Sequence, residues 1–422
     1  MYMMKKILLL AGIVSLAACT NDPEETFSQG GGSSAGVKVI YDAEGAVEGQ
    51  LIVKFRPSAA DSLAAALASA SASATRAGFA TADELLAAVG VDGIRPLFGS
   101  DPRFEERHRA FGLHQWYVVT FDESLPLREM VGELSHDGRI EVLEYARCPR
   151  LKNRFPARPL RSAAAAATRA SMPMNDPLLP AQWHYDNTGY QVLVTQAGAD
   201  VNLFDAWKKN QGSSDIVVAV IDQAVQYTHP DLQANIWVNP NPTKGDQHGY
   251  NFVNNTAELD WSYADREEYQ GQIYYSNADH GTHVAGTIAA VNDNDRGDCG
   301  IAGGRNGAGG VKIMSCQIFG DPDKKSYPTE DAFRYAADNG ALICQCSYGY
   351  SYSTGSKDEM EAMRQWFMNS SEKAAIDYFI ANAGKNDPDS PIEGGVVIFA
   401  AGNDGDLFGD VSEYPASYEA VV

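Results

Sequence analysis

The sequence predicts an α/β protein, a doubly wound parallel sheet over its second half, preceded by a small α+β unit. Three observations carry this. Apolar, β-branched runs at 215–222 (DIVVAVID) and 394–403 (GGVVIFAAGN) read as strands buried on both faces, as parallel-sheet strands are. Helical stretches alternate with such runs from residue 175 onward, which implies helices on both faces of one sheet. Upstream, strands and short helices alternate from 49 to 146 and end in a basic, Ala-rich, Pro-broken stretch that reads as a boundary.

The elements follow in order. Residues 1–18 begin short and basic, turn apolar, and are too short to span a membrane as a helix. With Leu16-Ala17-Ala18-Cys19 they read as a lipoprotein signal, so cleavage before Cys19 and acylation of its thiol are expected. The protein is then exported and anchored to the cell envelope by lipid. Residues 19–48, acidic and then Gly/Ser-rich, read as a flexible stalk. In the 49–146 unit, strands are expected at 49–55, 115–121 and 139–146, with helices at 59–70, 81–89 and 127–138, as in a split βαβ unit. Residues 147–174 form a linker whose arginines offer a site for proteolytic nicking. From 175 to 422, strands are expected at 215–222, 311–319, 341–347 and 394–403. Helices are expected at 283–291, at 329–340 between a Thr cap and a Gly stop, and in a long region from about 357 to 383.

Composition narrows the function classes. Of 422 residues, 44% are hydrophobic, enough for substantial cores. The net charge of −22 repels phosphate backbones and so excludes nucleic acid as a natural partner, while leaving carboxylates for Ca²⁺. Cys148, Cys299, Cys316, Cys344 and Cys346 show no paired metal-binding spacing and read as buried thiols. Cys344 and Cys346 point to one face of a strand and make poor disulfide partners for each other.

In open α/β sheets, ligands bind beyond the carboxyl ends of the strands. Asp222 ends the first strand of the sheet, Ser347-Tyr348-Gly349 end the third, and Gly402-Asn403 the fourth; His280 immediately precedes a helix. An Asp that fixes an imidazole, a His that acts as base and an Asn that donates to an oxyanion are three of the four parts of a serine-hydrolase site.

These blocks (VVAVIDQAVQYTHPDL, DHGTHVAGTIAA, CSYG and VVIFAAGND) resemble, in order, the signatures of the subtilisin-like serine proteases. The likeness runs from about 175 to 422. It implies a subtilisin-like fold, proteolysis of proteins or peptides, no cofactor for the chemistry, Asp222 as triad acid, His280 as base and Asn403 as oxyanion donor. Ser347, Tyr348 and Gly349 become the strand that pairs with substrate and walls the P1 pocket; His283 becomes a structural helix residue. Asp231 and Asp293 resemble carboxylate positions of a Ca²⁺ site. The 49–146 unit resembles a pro-domain that assists folding and blocks the cleft, the 147–174 linker then holds the maturation site, and 175–187 resembles the mature N-terminal arm.

The chain departs from the family in three places. Gln223-Ala224 replaces a Thr-Gly or Ser-Gly pair, so the turn after Asp222 is expected to be reshaped. Residues 233–279 are long and read as a surface insertion beside the cleft. Finally, no Gly-Thr-Ser-x-Ala-x-Pro block is present, and Ser347, Ser412 and Ser417 lie in no Gly-flanked strand-to-helix turn. The 422 residues are therefore expected to be part of a longer protease, with an incomplete sheet and no acyl transfer of their own. The alternative is a nucleophile-free pseudoprotease or peptide-binding module. A zinc reading of His280 and His283 fails on spacing, since zinc proteases place two histidines four apart with Glu between them.

Overall fold

The structure, a computed structural model, describes residues 37–40, 46–69, 91–151, 172–189, 195–262, 264–269, 272–320, 329–350, 354–386, 390, 392–403 and 412–422. The signal segment, Cys19 and the expected 81–89 helix lie outside these residues.

The N-terminal unit is a five-stranded sheet in the order β1-β5-β2-β4-β3. Its strands are β1 (Lys38–Ile40), β2 (Ala46–Phe55), β3 (Val91–Pro96), β4 (Trp116–Phe121) and β5 (Ile140–Arg147). Only β1 and β5 run parallel. The stalk boundary at 48 is thus corrected: β1 and the start of β2 lie inside it. Strand β3 escaped the sequence reading because Gly93 and Pro96 argue against a strand, but β3 is an edge, where both are tolerated.

Among the described residues the unit also has helices α1 (Pro57–Ser69), α2 (Glu105–Ala110) and α3 (Leu127–Leu134). Leu51, Val53, Tyr117, Val119 and Leu143 pack with α1 and α3 residues on one face. Ile52, Trp116, Val118 and Val142 join a core that extends into the C-terminal unit. Burial of both faces fits the nearly unbroken apolar run WYVVTF of β4, whereas β2 alternates and places Glu48, Gln50 and Lys54 at its less buried positions.

The second sheet, in the order β12-β11-β6-β10-β7, is parallel throughout. Its strands are β6 (Val217–Asp222), β7 (Gly249–Asn251), β10 (Lys312–Gln317), β11 (Ile343–Cys346) and β12 (Val396–Phe399); β8 (Ala264–Tyr269) and β9 (Gln272–Asn277) form a separate hairpin. The helices are α4 (Leu203–Trp207), α5 (His280–Ala289), α6 (Thr329–Asp338), α7 (Lys357–Asn369) and α8 (Ser371–Asn382). Val422 exchanges backbone hydrogen bonds with Val397 and Phe399 at the outer edge of β12.

Three expectations change here. The 233–279 segment is not all surface, because β7 is buried at the sheet edge; a Cβ on Gly249 would lie 1.8 Å from Ser315 O, so only glycine permits that approach. The long 357–383 helix divides at Ser370, whose extended backbone ends α7 while its hydroxyl caps α8 by accepting from Lys373 N at 3.1 Å. Helix α5 begins three residues earlier than periodicity suggests, at His280 itself. Cys299, Cys316, Cys344 and Cys346 are buried thiols as expected; Cys148 is a half-buried thiol.

The sheet of the N-terminal unit lies on α6, α7 and α8, where Ile52, Trp116 and Val142 share a core with Phe333, Met363 and Phe379. A polar row adds to this contact. Gly99 N donates to Asp331 Oδ1 (2.8 Å), and His108 Nε2 meets Asp338 Oδ2 at 2.8 Å.

Candidate active site

Asp222 is the last residue of β6 and is fully buried. Its Oδ1 accepts from His280 Nδ1 at 2.7 Å and from the Gln223 amide at 2.6 Å, while Oδ2 is buried with no hydrogen-bond partner. Burial pushes the Asp222 carboxyl above its ordinary value, and the hydrogen bond and charge of His280 oppose that. The contact with Asp222 fixes Nδ1 and makes the two ring nitrogens of His280 inequivalent.

The HGTH sequence explains how His280 reaches this position. His280 is the first residue of α5, and its amide donates to Gln223 Oε1 at 3.2 Å. Gly281 lies so close to the 223 peptide that a Cβ there would sit 2.0 Å from Gln223 O. Thr282 Oγ1 accepts from Gln226 N at 3.0 Å. The start of α5 is therefore bound to the turn that follows Asp222, and Gln223 is a positioning residue that sequence reasoning treated only as a departure. Ala224 carries no positive φ, so the reshaped turn avoids the conformation that would need glycine. His283, by contrast, is exposed on α5. Among the described residues no three His, Cys, Asp or Glu side chains converge to hold a metal.

The parallel register sets the remaining positions. Ile221 pairs with Cys346, and Cys346 with Phe399, so Asp222, Ser347 and Ala400 follow at one level along the rim. Asn403 lies three residues past Ala400, exposed. Gly402, at φ +83°, packs on Glu413, where a Cβ would meet the carboxylate at 2.5 Å.

Ser347-Tyr348-Gly349 leave the end of β11, and their roles divide. Gly349 pairs antiparallel with Arg150: Arg150 N donates to Gly349 O (2.8 Å) and Gly349 N to Arg150 O (3.2 Å). The segment leaving the N-terminal unit thus occupies the strand assigned to substrate, although the linker reading gave it no such contact. The Tyr348 side chain, expected beside a pocket, is instead buried, and its hydroxyl donates to Glu372 Oε1 (3.1 Å). Ser347 Oγ accepts from Gln345 Nε2 (3.2 Å).

Asp231 and Asp293 do not fit a shared cation. Asp231 accepts from Asn294 Nδ2 (2.6 Å) and Asp298 N (3.1 Å), whereas Asp293 is ion-paired with Arg305 Nε at 2.7 Å. Asp176, which accepts from the Asp293 amide at 2.7 Å, escaped the sequence reading; it lies in the 175–187 arm and ties that arm to the same loop. Burial, and then the negative charge of Asp176, raise the Asp231 carboxyl above its usual range.

With this geometry in hand, the likenesses can be stated. Residues 213–422 match the model of the subtilase family. A thermophilic serine proteinase from a Bacillus species is 27% identical over 325 residues, covering 72% of this chain and 62% of that protein. Kexin of Saccharomyces cerevisiae is 27% identical over 240 residues, covering 53% of this chain and 25% of kexin. The extracellular protease of Xanthomonas campestris is 39% identical over 156 residues, covering 36% and 24%. The chain thus spans between about a quarter and three-fifths of these relatives. The crystal structure of fervidolysin from Fervidobacterium pennivorans, described as a keratinolytic enzyme related to subtilisin, superposes with a TM-score of 0.53 at 19% identity. It covers 92% of this chain and 44% of that one, so the likeness of fold spans both units.

Proposed function

Residues 213–422 belong to the subtilase family, and from that premise we propose that the protein is a serine endopeptidase precursor with His280 as base and Asp222 as its acid. The observation that carries this reading is the 2.7 Å contact between His280 Nδ1 and Asp222 Oδ1 at the sheet rim. Asp222 holds the imidazole with its proton on Nδ1, so Nε2 takes a proton from a serine hydroxyl and later returns it to the leaving amine. Asn403 donates its amide to the oxyanion. A peptide or protein substrate adds as an antiparallel strand along Ser347, Tyr348 and Gly349, as Arg150 pairs with Gly349.

In this reading the 49–146 unit, together with the strand residues before it, is an intramolecular pro-domain. The serine is assigned to a segment outside these 422 residues, since they contain no Gly-Thr-Ser-x-Ala-x-Pro block, and alone they do not carry out acyl transfer. Export is assigned to residues 1–18 and envelope attachment to a lipid on Cys19. The chemistry calls on no cofactor. The Ca²⁺ expected on Asp231 and Asp293 forms no part of this reading, because Arg305 pairs with Asp293 while Asn294 and the Asp298 amide hold Asp231.

The test is a polypeptide that extends to such a serine block. A fluorophosphonate should label it, and His280→Ala should abolish the labelling; undiminished labelling overturns the assignment. Loss of the triad serine or histidine costs about six orders of magnitude in kcat in subtilisin, a magnitude carried over from that enzyme. Cys19→Ser should remove lipid labelling and release the protein from membranes. The missing serine block also supports a peptide-binding module as the second reading, and a genuine stop codon directly after Val422 would favour it.

A further inference from the structure

Three carboxylates meet where the N-terminal unit rests on the C-terminal one. Glu144 comes from β5 of the N-terminal unit and is 1% exposed; Glu330 from α6 and Glu372 from α8 are 7% and 0% exposed. The groups that hydrogen-bond to them are neutral. Ser371 N donates to Glu144 Oε2 (2.9 Å), Ser371 Oγ to Glu330 Oε1 (3.2 Å), and the Tyr348 and Tyr350 hydroxyls to the two oxygens of Glu372 (3.1 and 3.0 Å). Thr329 also bonds to Glu330 and Glu372. Among the described residues, the cation that acts on this group is Arg95 of β3, itself exposed, through Glu330. Elsewhere in the same interface, Lys38 bonds Asn369, Arg147 stacks on Trp366, and His108, Arg107 and Arg334 converge on Asp338.

We propose that Glu144, Glu330 and Glu372 form a proton-operated latch that holds the N-terminal unit down in acid and loosens it as the medium turns neutral to alkaline. Buried carboxylates without a bonded cation are stable together only when they share protons. The latch is also mechanically connected to the cleft. Glu372 holds Tyr348, the neighbour of Gly349, while Glu144 stands on the strand that leads to Arg150. Undocking β5 therefore also draws the Arg150 segment away from Gly349.

The sign follows from burial. Desolvation, and then repulsion from Glu330, push Glu144 up to about 8; desolvation and Glu330 do the same to Glu372. Undocking returns Glu144 to water and to the ordinary carboxyl range near 4.5. Docking is thus strongest below that range, weakens as pH rises toward about 8, and changes no further beyond it. One released proton makes the undocking constant rise about tenfold per pH unit across this window.

The inference rests on the docked geometry and not on the proteolytic reading, so its test uses the whole 422-residue chain and needs no activity. Hydrogen exchange, corrected for intrinsic rates, is followed from pH 5 to 9 in peptides covering β5 and the start of α8, with β6 as reference. Wild type should show interface opening that rises about tenfold per pH unit and levels off near pH 8, with β6 unchanged. Glu144→Gln, which keeps an acceptor for Ser371 N, should flatten that rise and stay docked at pH 8. Should that variant fail to fold, Glu330→Gln, which removes the charge that acts most on Glu144, should make the rise level off at a lower pH than in wild type. A Glu144→Gln protein that keeps the wild-type slope overturns the latch, as does a Glu330→Gln protein whose rise levels off at the wild-type pH, or a slope that vanishes in His108→Asn but persists in Glu144→Gln.

Discussion

Gly281→Ala isolates the packing that holds His280 against Asp222. The added Cβ would stand 2.0 Å from Gln223 O, and real contacts stay above 3.0 Å, so the start of α5 must retreat by about 1 Å. That retreat stretches the 2.7 Å Nδ1···Oδ1 contact to about 3.7 Å, outside hydrogen-bond range. Crowding of this kind costs about 1–3 kcal/mol. Loss of a charged hydrogen bond adds roughly 1.5–3 kcal/mol. For a domain of this size each kcal/mol lowers Tm by about 2–4 °C. Gly286→Ala, in the same helix with nothing within 4 Å of its new Cβ, is the control and should gain up to about 1 kcal/mol. Thermal melts report the stability difference, and the low-field proton resonance of the His280 Nδ1–H reports the bond. A Gly281→Ala protein that melts with wild type and keeps that resonance refutes the reasoning.

Three further outcomes are expected. Arg150→Pro removes the amide that donates to Gly349 O, so exchange at the Gly349 amide should accelerate, and unchanged protection there would count against the pairing. Burial raises the thiols of Cys299, Cys316, Cys344 and Cys346, the last two well above the usual range. At pH 8 an alkylating reagent followed by mass spectrometry should therefore modify Cys148 first among the five cysteines after Cys19, and the other four only after denaturation. Ser370→Ala removes the cap of α8 and should cost about 0.5–2 kcal/mol in a denaturant melt, with no change expected in the α5 resonance.

Reading the sequence succeeded where the signal is local. A strand buried on both faces must be apolar along its length, so β6, β11 and β12 were visible as runs, and the polar residue that ends β6 marked the rim. The dense HGTH block at the start of α5 is local too, because it combines His280 with the glycine that lets the helix approach Gln223. The reading failed where neighbours far along the chain decide. The weak strand β3 exists because β4 offers it an edge, and β7 because Gly249 admits the backbone of Ser315. The helix break at Ser370 was hidden because both flanking segments have strong helical composition.

What the sequence by itself determined is the parallel α/β class, the Asp222 and His280 pair, and the order in which its parts occur. Only the tertiary structure decided that Arg150 lies on Gly349, that Tyr348 turns inward to Glu372, and that Glu144 is buried beside Ser371, 227 residues further along the chain. The physical reason is range. Periodicity and motif chemistry act within a few residues, whereas burial of a carboxylate and pairing of a strand are set by which distant surfaces come together.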